Sequence, residues 1–98
     1  MNKYQEYILS VLNDHELLEQ LAEEAAELSQ AALKLVRASG YSNNPTPVTE
    51  QEAEANLEEE LYDVLAVASL LAFIDYNDDE NPKWKRWAER LGMKVEKE

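Results

Sequence analysis

The stretch from Leu57 to Ile74, LEEELYDVLAVASLLAFI, constrains this chain more than any other. From Leu61 onward it is apolar on nearly every side and holds no Gly or Pro, so it predicts one long helix buried all round. One charge, Asp63, stands inside it, three residues after Glu60, and that spacing puts both carboxylates on one helix face. An ionised carboxylate on a buried helix costs on the order of several kcal/mol unless something positive faces it. The stretch contains no Lys, Arg or His. The cation must come from elsewhere, and a bound divalent metal is the simplest candidate.

A single domain of 98 residues is near the size at which a lone hydrophobic core is only marginally stable. Burial on every side of Leu61 to Ile74 in so short a chain therefore predicts oligomerisation, as a homodimer or homotetramer. The 21 acidic residues against 9 basic ones leave a net charge of -12, which opposes binding to nucleic acid or to an anionic membrane. Divalent cations are the expected counter-ions. The absence of cysteine removes disulfide and thiolate chemistry and fits a reducing cytoplasm. The start, MNKYQEYILSVLNDHE, is amphipathic and soon acidic, unlike a signal peptide. The apolar run is also shorter than the roughly 20 residues needed to cross a bilayer. The expectation is a soluble cytoplasmic protein.

The other segments read as helices too. Tyr4, Tyr7, Ile8, Val11 and Leu12 give residues 3–12 one apolar face, with the two tyrosines expected in the core. Asn13 and Glu16 form a capping box that opens a long second helix. Its stripe is expected to run through Leu17, Leu18, Leu21, Ala25, Leu28, Ala32, Leu35 and Val36 until Gly40 ends it. The segment GYSNNPTPV is a loop. Thr49 with Glu52 caps the third helix, expected to run to about Tyr76. NDDEN, residues 77–81, is a turn, and Pro82 suits the first position of a short last helix ended by Gly92. No segment alternates with the period of a strand, so the fold class is all-α: a small bundle of a short helix, two long antiparallel helices and a short C-terminal helix, completed by oligomerisation.

Chemistry concentrates on the two long helices. At about 100° per residue, Glu24 and Glu27 sit on one side of the Leu21, Ala25, Leu28, Ala32 stripe, while Glu23 points nearly the opposite way. Gln20, Ala31 and Ala38 on that edge are small or neutral and leave space, and Lys34 lies two turns beyond Glu27. Glu60 and Asp63 flank the stripe of Leu57, Leu61, Val64 and Ala68 on the third helix. Four carboxylates meeting across antiparallel helices raise one another's pKa unless cations are present. Hard oxygen ligands in that number suit Mg²⁺, or Mn²⁺, and such a site supports metal-activated water attacking a phosphate ester or anhydride.

Glu23-Glu24-Ala25-Ala26-Glu27 followed by Glu60-Leu61-Tyr62-Asp63 resembles the EExxE and ExxD pair of the MazG-like, all-α nucleoside triphosphate pyrophosphohydrolases. The likeness spans roughly Leu17 to Ala72. It implies a bundle completed by oligomerisation, Mg²⁺ held by Glu24, Glu27, Glu60 and Asp63, and hydrolysis of a (deoxy)nucleoside triphosphate to monophosphate and pyrophosphate. The interval from Glu27 to Glu60 is longer than is usual for the family, and Tyr62 stands where a small residue is common.

Plainer readings compete residue by residue. Glu23, Glu58 and Glu59 read as solvated helix faces. Asp63 has the alternative of an ion pair with Lys34 or Arg37, and Lys34 that of a surface residue instead of a phosphate contact. His15 reads as a surface group, and with no second His a di-iron Glu-x-x-His site cannot form. Trp84 and Trp87, among Lys83, Lys85, Arg86 and Arg90, either pack on the core, the favoured reading, or stack a base. No Gly-rich phosphate loop, Ser/His/Asp set or Cys/His set is present. The sequence thus points to a Mg²⁺-dependent nucleotide pyrophosphohydrolase. The alternative is an acidic helical interaction module that dimerises without catalysis.

Overall fold

The computed structural model describes residues 1–71 and 81–94. These carry four helices and no strand: α1 (Lys3–Val11), α2 (Asp14–Ala38), α3 (Glu50–Ser69) and α4 (Lys83–Arg90). The all-α class expected from the helical periodicities holds.

Local chemistry sets most helix ends. The Asn13 side chain accepts from the Glu16 amide at 2.9 Å while the Glu16 carboxylate accepts from the Asn13 amide at 3.1 Å, the reciprocal box that satisfies two free donors. Asn2 and Gln5 make the same arrangement at the start of α1, where Gln5 Oε1 accepts from the Asn2 amide at 2.8 Å. Gly40 follows α2 with φ +81°, a left-handed conformation that costs glycine little. Thr49 Oγ1 accepts from the Glu52 amide at 3.2 Å to open α3. Pro82 is the cap of α4 rather than its first helical residue, and the Lys83 amide is taken up by Asn81 Oδ1 at 2.9 Å.

The third helix is shorter than its apolar run suggests. Ser69 Oγ donates to the Ala66 carbonyl at 2.7 Å, and the amides of Leu70 and Leu71 turn back to Val67 and Ala68 at 3.0 and 3.1 Å. These three-residue bonds tighten the backbone and close the helix at Ser69. Residues 72–76 of the expected helix, and residues 77–80 of the expected turn, lie outside the described residues.

α2 and α3 pack directly on one another, and among the described residues no other pair of helices does. They run antiparallel, because Leu17 and Gln20 near the start of α2 share a groove with Ala66, Val67 and Leu70 near the end of α3. Leu17, Ala31, Ala53 and Leu71 are fully buried. Each leucine so placed stabilises the pair by about 1.5–3 kcal/mol. The buried face of α2 differs from the expected stripe, since Ala25 and Ala32 are exposed whereas Ala31 is only 1% exposed. Leu17 is buried and Leu21, Leu28 and Leu35 are half-buried, so the helix turns the line that they share with Ala31 toward its neighbour. That rotation brings Glu24 into the interface.

α3 is not buried all round. Leu61, Tyr62 and Leu65 are 46%, 63% and 50% exposed, and Asp63 is exposed as well. With a single helix packed on it, α3 covers one face only. Tyr4 and Tyr7, expected in the core, are also exposed; in residues 1–12 only Gln5 and Leu12 are half-buried, and Ile8 is 37% exposed. The tryptophans of α4 do not pack on the α2–α3 core: each is 46% exposed, and their rings stack on each other at 6.1 Å and 15° with Lys83 Nζ 5.9 Å from the Trp87 ring. The radius of gyration, 17.6 Å, exceeds the roughly 13 Å of a compact domain of this length.

Candidate metal centre

Midway along the α2–α3 interface, carboxylates from both helices converge. One oxygen each from Glu24, Glu60 and Asp63 lies within 4.8 Å of the other two. Glu24 and Glu60 are half-buried, and Asp63 forms the exposed rim. The apolar residues that pack the helices fix this geometry: Leu28 and Ala31 follow Glu24 on α2, and Leu57 and Val64 bracket Glu60 on α3.

Two atoms define the chemistry. Glu24 Oε2 and Glu60 Oε2 are shut off from solvent and have no hydrogen-bond partner. A buried acceptor left unsatisfied costs about 1–3 kcal/mol, more when charged. Two of them beside a third carboxylate form a donor set that fits a hard divalent cation taking oxygen ligands. The other Glu24 oxygen, Oε1, accepts from Gln20 Nε2 at 2.7 Å, which fixes the orientation of the carboxylate.

The protonation of Glu60 reports the same crowding. Loss of water pushes its pKa above the ordinary 4.5, and the neighbouring Glu27, by charge and by a hydrogen bond, pushes it further; Asp63 and Glu24 add to the shift. Every neighbour that crowds Glu60 is itself acidic, so the arrangement favours a positive charge among them.

Of the four carboxylates expected to act together, Glu24, Glu60 and Asp63 converge, while Glu27 is exposed and stands against Glu60 outside that trio. Lys34 is exposed, about 10 Å along α2 from Glu27. It lies ten residues beyond Glu24, about 15 Å, and Arg37 lies further still. Neither stands level with Asp63 within its own chain. Glu23, Glu58, Glu59 and His15 are exposed, as solvated positions should be. Gln20 is the participant that sequence reasoning passed over as a neutral neighbour. Its signal was there, four residues before Glu24 and so one turn away on the same face.

Two antiparallel helices that present carboxylates to each other around unsatisfied buried oxygens define a helical protein with an acidic cluster between its long helices. The comparison with protein families narrows that class: residues 12–90 match the MazG nucleotide pyrophosphohydrolase domain. The match covers most of the chain, which therefore belongs to the MazG family, whose described activity is that of a hydrolase, a nucleotide pyrophosphohydrolase. No curated protein and no solved structure matches significantly.

Proposed function

We propose that the protein hydrolyses a nucleoside or deoxynucleoside triphosphate to the monophosphate and pyrophosphate. Mg²⁺, or Mn²⁺ in its place, would be held by Glu24, Glu60 and Asp63 with Glu27 beside them. The observation that carries this reading is the pair of buried carboxylate oxygens, Glu24 Oε2 and Glu60 Oε2, that no protein group satisfies. When bound, such a cation supplies positive charge against the triphosphate and makes a water acidic enough to attack phosphorus.

The remaining work falls to the chain. Gln20 keeps Glu24 aimed across the interface. Glu27, exposed and next to Glu60, would accept the proton of the attacking water, a general-base role that needs only hydrogen-bond reach. As the new phosphorus–oxygen bond forms, the α–β anhydride bond breaks and pyrophosphate carries away the electron pair. Lys34, on its flexible stem, meets the outer phosphates. The exposed Leu61 and Leu65 are covered in a homodimer or homotetramer, and the cytoplasm is the proposed compartment. Among the described residues no helix is long and apolar enough to cross a membrane.

The test is pyrophosphate release from a panel of nucleoside and deoxynucleoside triphosphates with Mg²⁺, for the wild type and for Asp63→Ala. Release by the wild type and its loss in a variant with unchanged helical content is the expected result. Retained hydrolysis in Asp63→Ala sinks the site; no release from any nucleotide leaves the acidic interaction module.

A further inference from the structure

Charge is segregated along this chain. Lys83, Lys85, Arg86, Arg90 and Lys94 make up more than half of its 9 basic residues, and between Arg37 and Lys83 there is none. α4 therefore gathers positive charge, while α3 carries no Lys, Arg or His among its acidic residues. Both helices also keep an apolar face open. At about 100° per residue, Trp84, Trp87 and Leu91 share one side of α4, and Lys83 and Arg90 form the edge beside it. All five are exposed, α4 packs on none of the other described helices, and Arg90 has no carboxylate partner among the described residues. On α3, Glu54, Glu58, Leu61 and Leu65 lie within about 60° of one another, roughly 80° round from the line of Ala53, Leu57, Val64 and Ala68. These four are exposed too, and none belongs to the carboxylate cluster.

We infer that α4 of one chain docks on this second face of α3 in another copy, its aromatic side covering Leu61 and Leu65 while Lys83 and Arg90 meet Glu54 and Glu58. Charge complementarity names the occupant. A chain with a net charge of -12 repels an acidic partner as a whole, yet it carries both a basic, aromatic helix and an acidic, apolar one, and each face supplies what the other lacks. The layout fits as well. Glu58 and Glu54 stand about one and two turns before Leu61, so a helix laid across α3 with its tryptophans on Leu61 and Leu65 turns its basic edge toward the glutamates. α4, at about 12 Å, is comparable with the roughly 16 Å from Glu54 to Leu65. Pairing α3 with α3 would cover the leucines but leave the cations and aromatics of α4 without a use. In a two-fold dimer each chain gives one α4 and receives one, so the contact forms twice and closes. The buried aromatics supply the affinity; the exposed ion pairs, weak one by one, decide which faces meet. The inference rests on the assembly proposed above and not on the hydrolysis.

The test exchanges charge between the two faces. Four full-length proteins are compared by sedimentation equilibrium, with helical content checked by circular dichroism: the wild type, Glu54→Lys with Glu58→Lys, Lys83→Glu with Arg90→Glu, and the chain carrying all four changes. Each pair of reversals should weaken self-association about tenfold or more, because like charges then face each other across the contact. Mixing the two paired variants in equal amounts should restore the assembly, and so should the fourfold chain, because opposite charges meet again. Should a reversed chain fail to fold, Trp87→Ala, which removes an exposed ring and leaves every charge in place, should likewise weaken the assembly. Paired variants that associate as the wild type does overturn the inference, as does a loss of assembly that neither mixing nor the fourfold chain repairs. An assembly that Leu61→Glu dissolves and the charge reversals leave intact also overturns it, and gives the face to a second α3. A monomeric wild type removes this contact together with the proposed assembly, and leaves the hydrolytic reading to pyrophosphate release.

Discussion

Glu60 is where four acidic side chains meet, and its titration gives the metal-free protein a characteristic pH dependence. Because its folded pKa lies above its unfolded value near 4.5, the folded state binds more protons between those two values. Stability from this group is therefore lost as pH rises through that window, and it stays lost at neutral pH. Thermal melts of metal-free protein should show this decline, and Glu60→Gln, which keeps a hydrogen-bonding group and removes the charge, should abolish it and raise the melting temperature at neutral pH. The same substitution should lower nucleotide hydrolysis by at least roughly a hundredfold. A Glu60→Gln melting curve that follows the wild-type pH profile would show that the crowding is relieved some other way. At this scale the sequence was informative about the acidic residues, since spacing by three marked Glu24, Glu27, Glu60 and Asp63. It was silent on the amide partner, because Gln20 carries no charge to demand an explanation.

Among the elements, polar caps were legible and apolar extent was not. Asn13 with Glu16 announced α2, and Gly40 announced its end, because each acts through atoms within a few residues. Asn13→Ala should cost about 1 kcal/mol in chemical denaturation, the usual worth of such a cap. The end of α3 was misjudged because apolarity alone does not distinguish a continuing helix from one that Ser69 closes through the Ala66 carbonyl. The face of α2 was likewise read one residue off at Ala32 for Ala31, since alanines contribute little area to a periodicity, whereas Leu57, Val64 and Ala68 on α3 are half-buried as expected. The core itself is small, so Leu17, 2% exposed, matters more than its size suggests. Leu17→Ala should cost about 2–5 kcal/mol, and a loss much under 1 kcal/mol would mean that the α2–α3 contact is not what holds the fold.

Among the described residues, the molecule is one packed pair of helices with apolar faces left over. Leu61 and Leu65 on α3, and Leu18 on α2, stand 46%, 50% and 42% exposed, and these are the surfaces that the proposed assembly would cover. Light scattering at micromolar concentration should give a mass of two or four chains, and Leu61→Glu with Leu65→Glu should shift it toward one; a monomeric wild type would remove the proposal of assembly. The run after Leu61 is what raises the expectation of assembly, but the sequence could not say which side of α3 packs on α2, because both sides are apolar. All of this depends on whether the carboxylates exist to hold a cation. The most direct measurement is a Mn²⁺ titration of the metal-free protein, followed by the loss of the free-ion paramagnetic resonance signal. Saturable binding in the wild type that is abolished in Asp63→Ala and in Glu60→Gln is the expected result; no saturable binding, or equal binding in all three proteins, would contradict it.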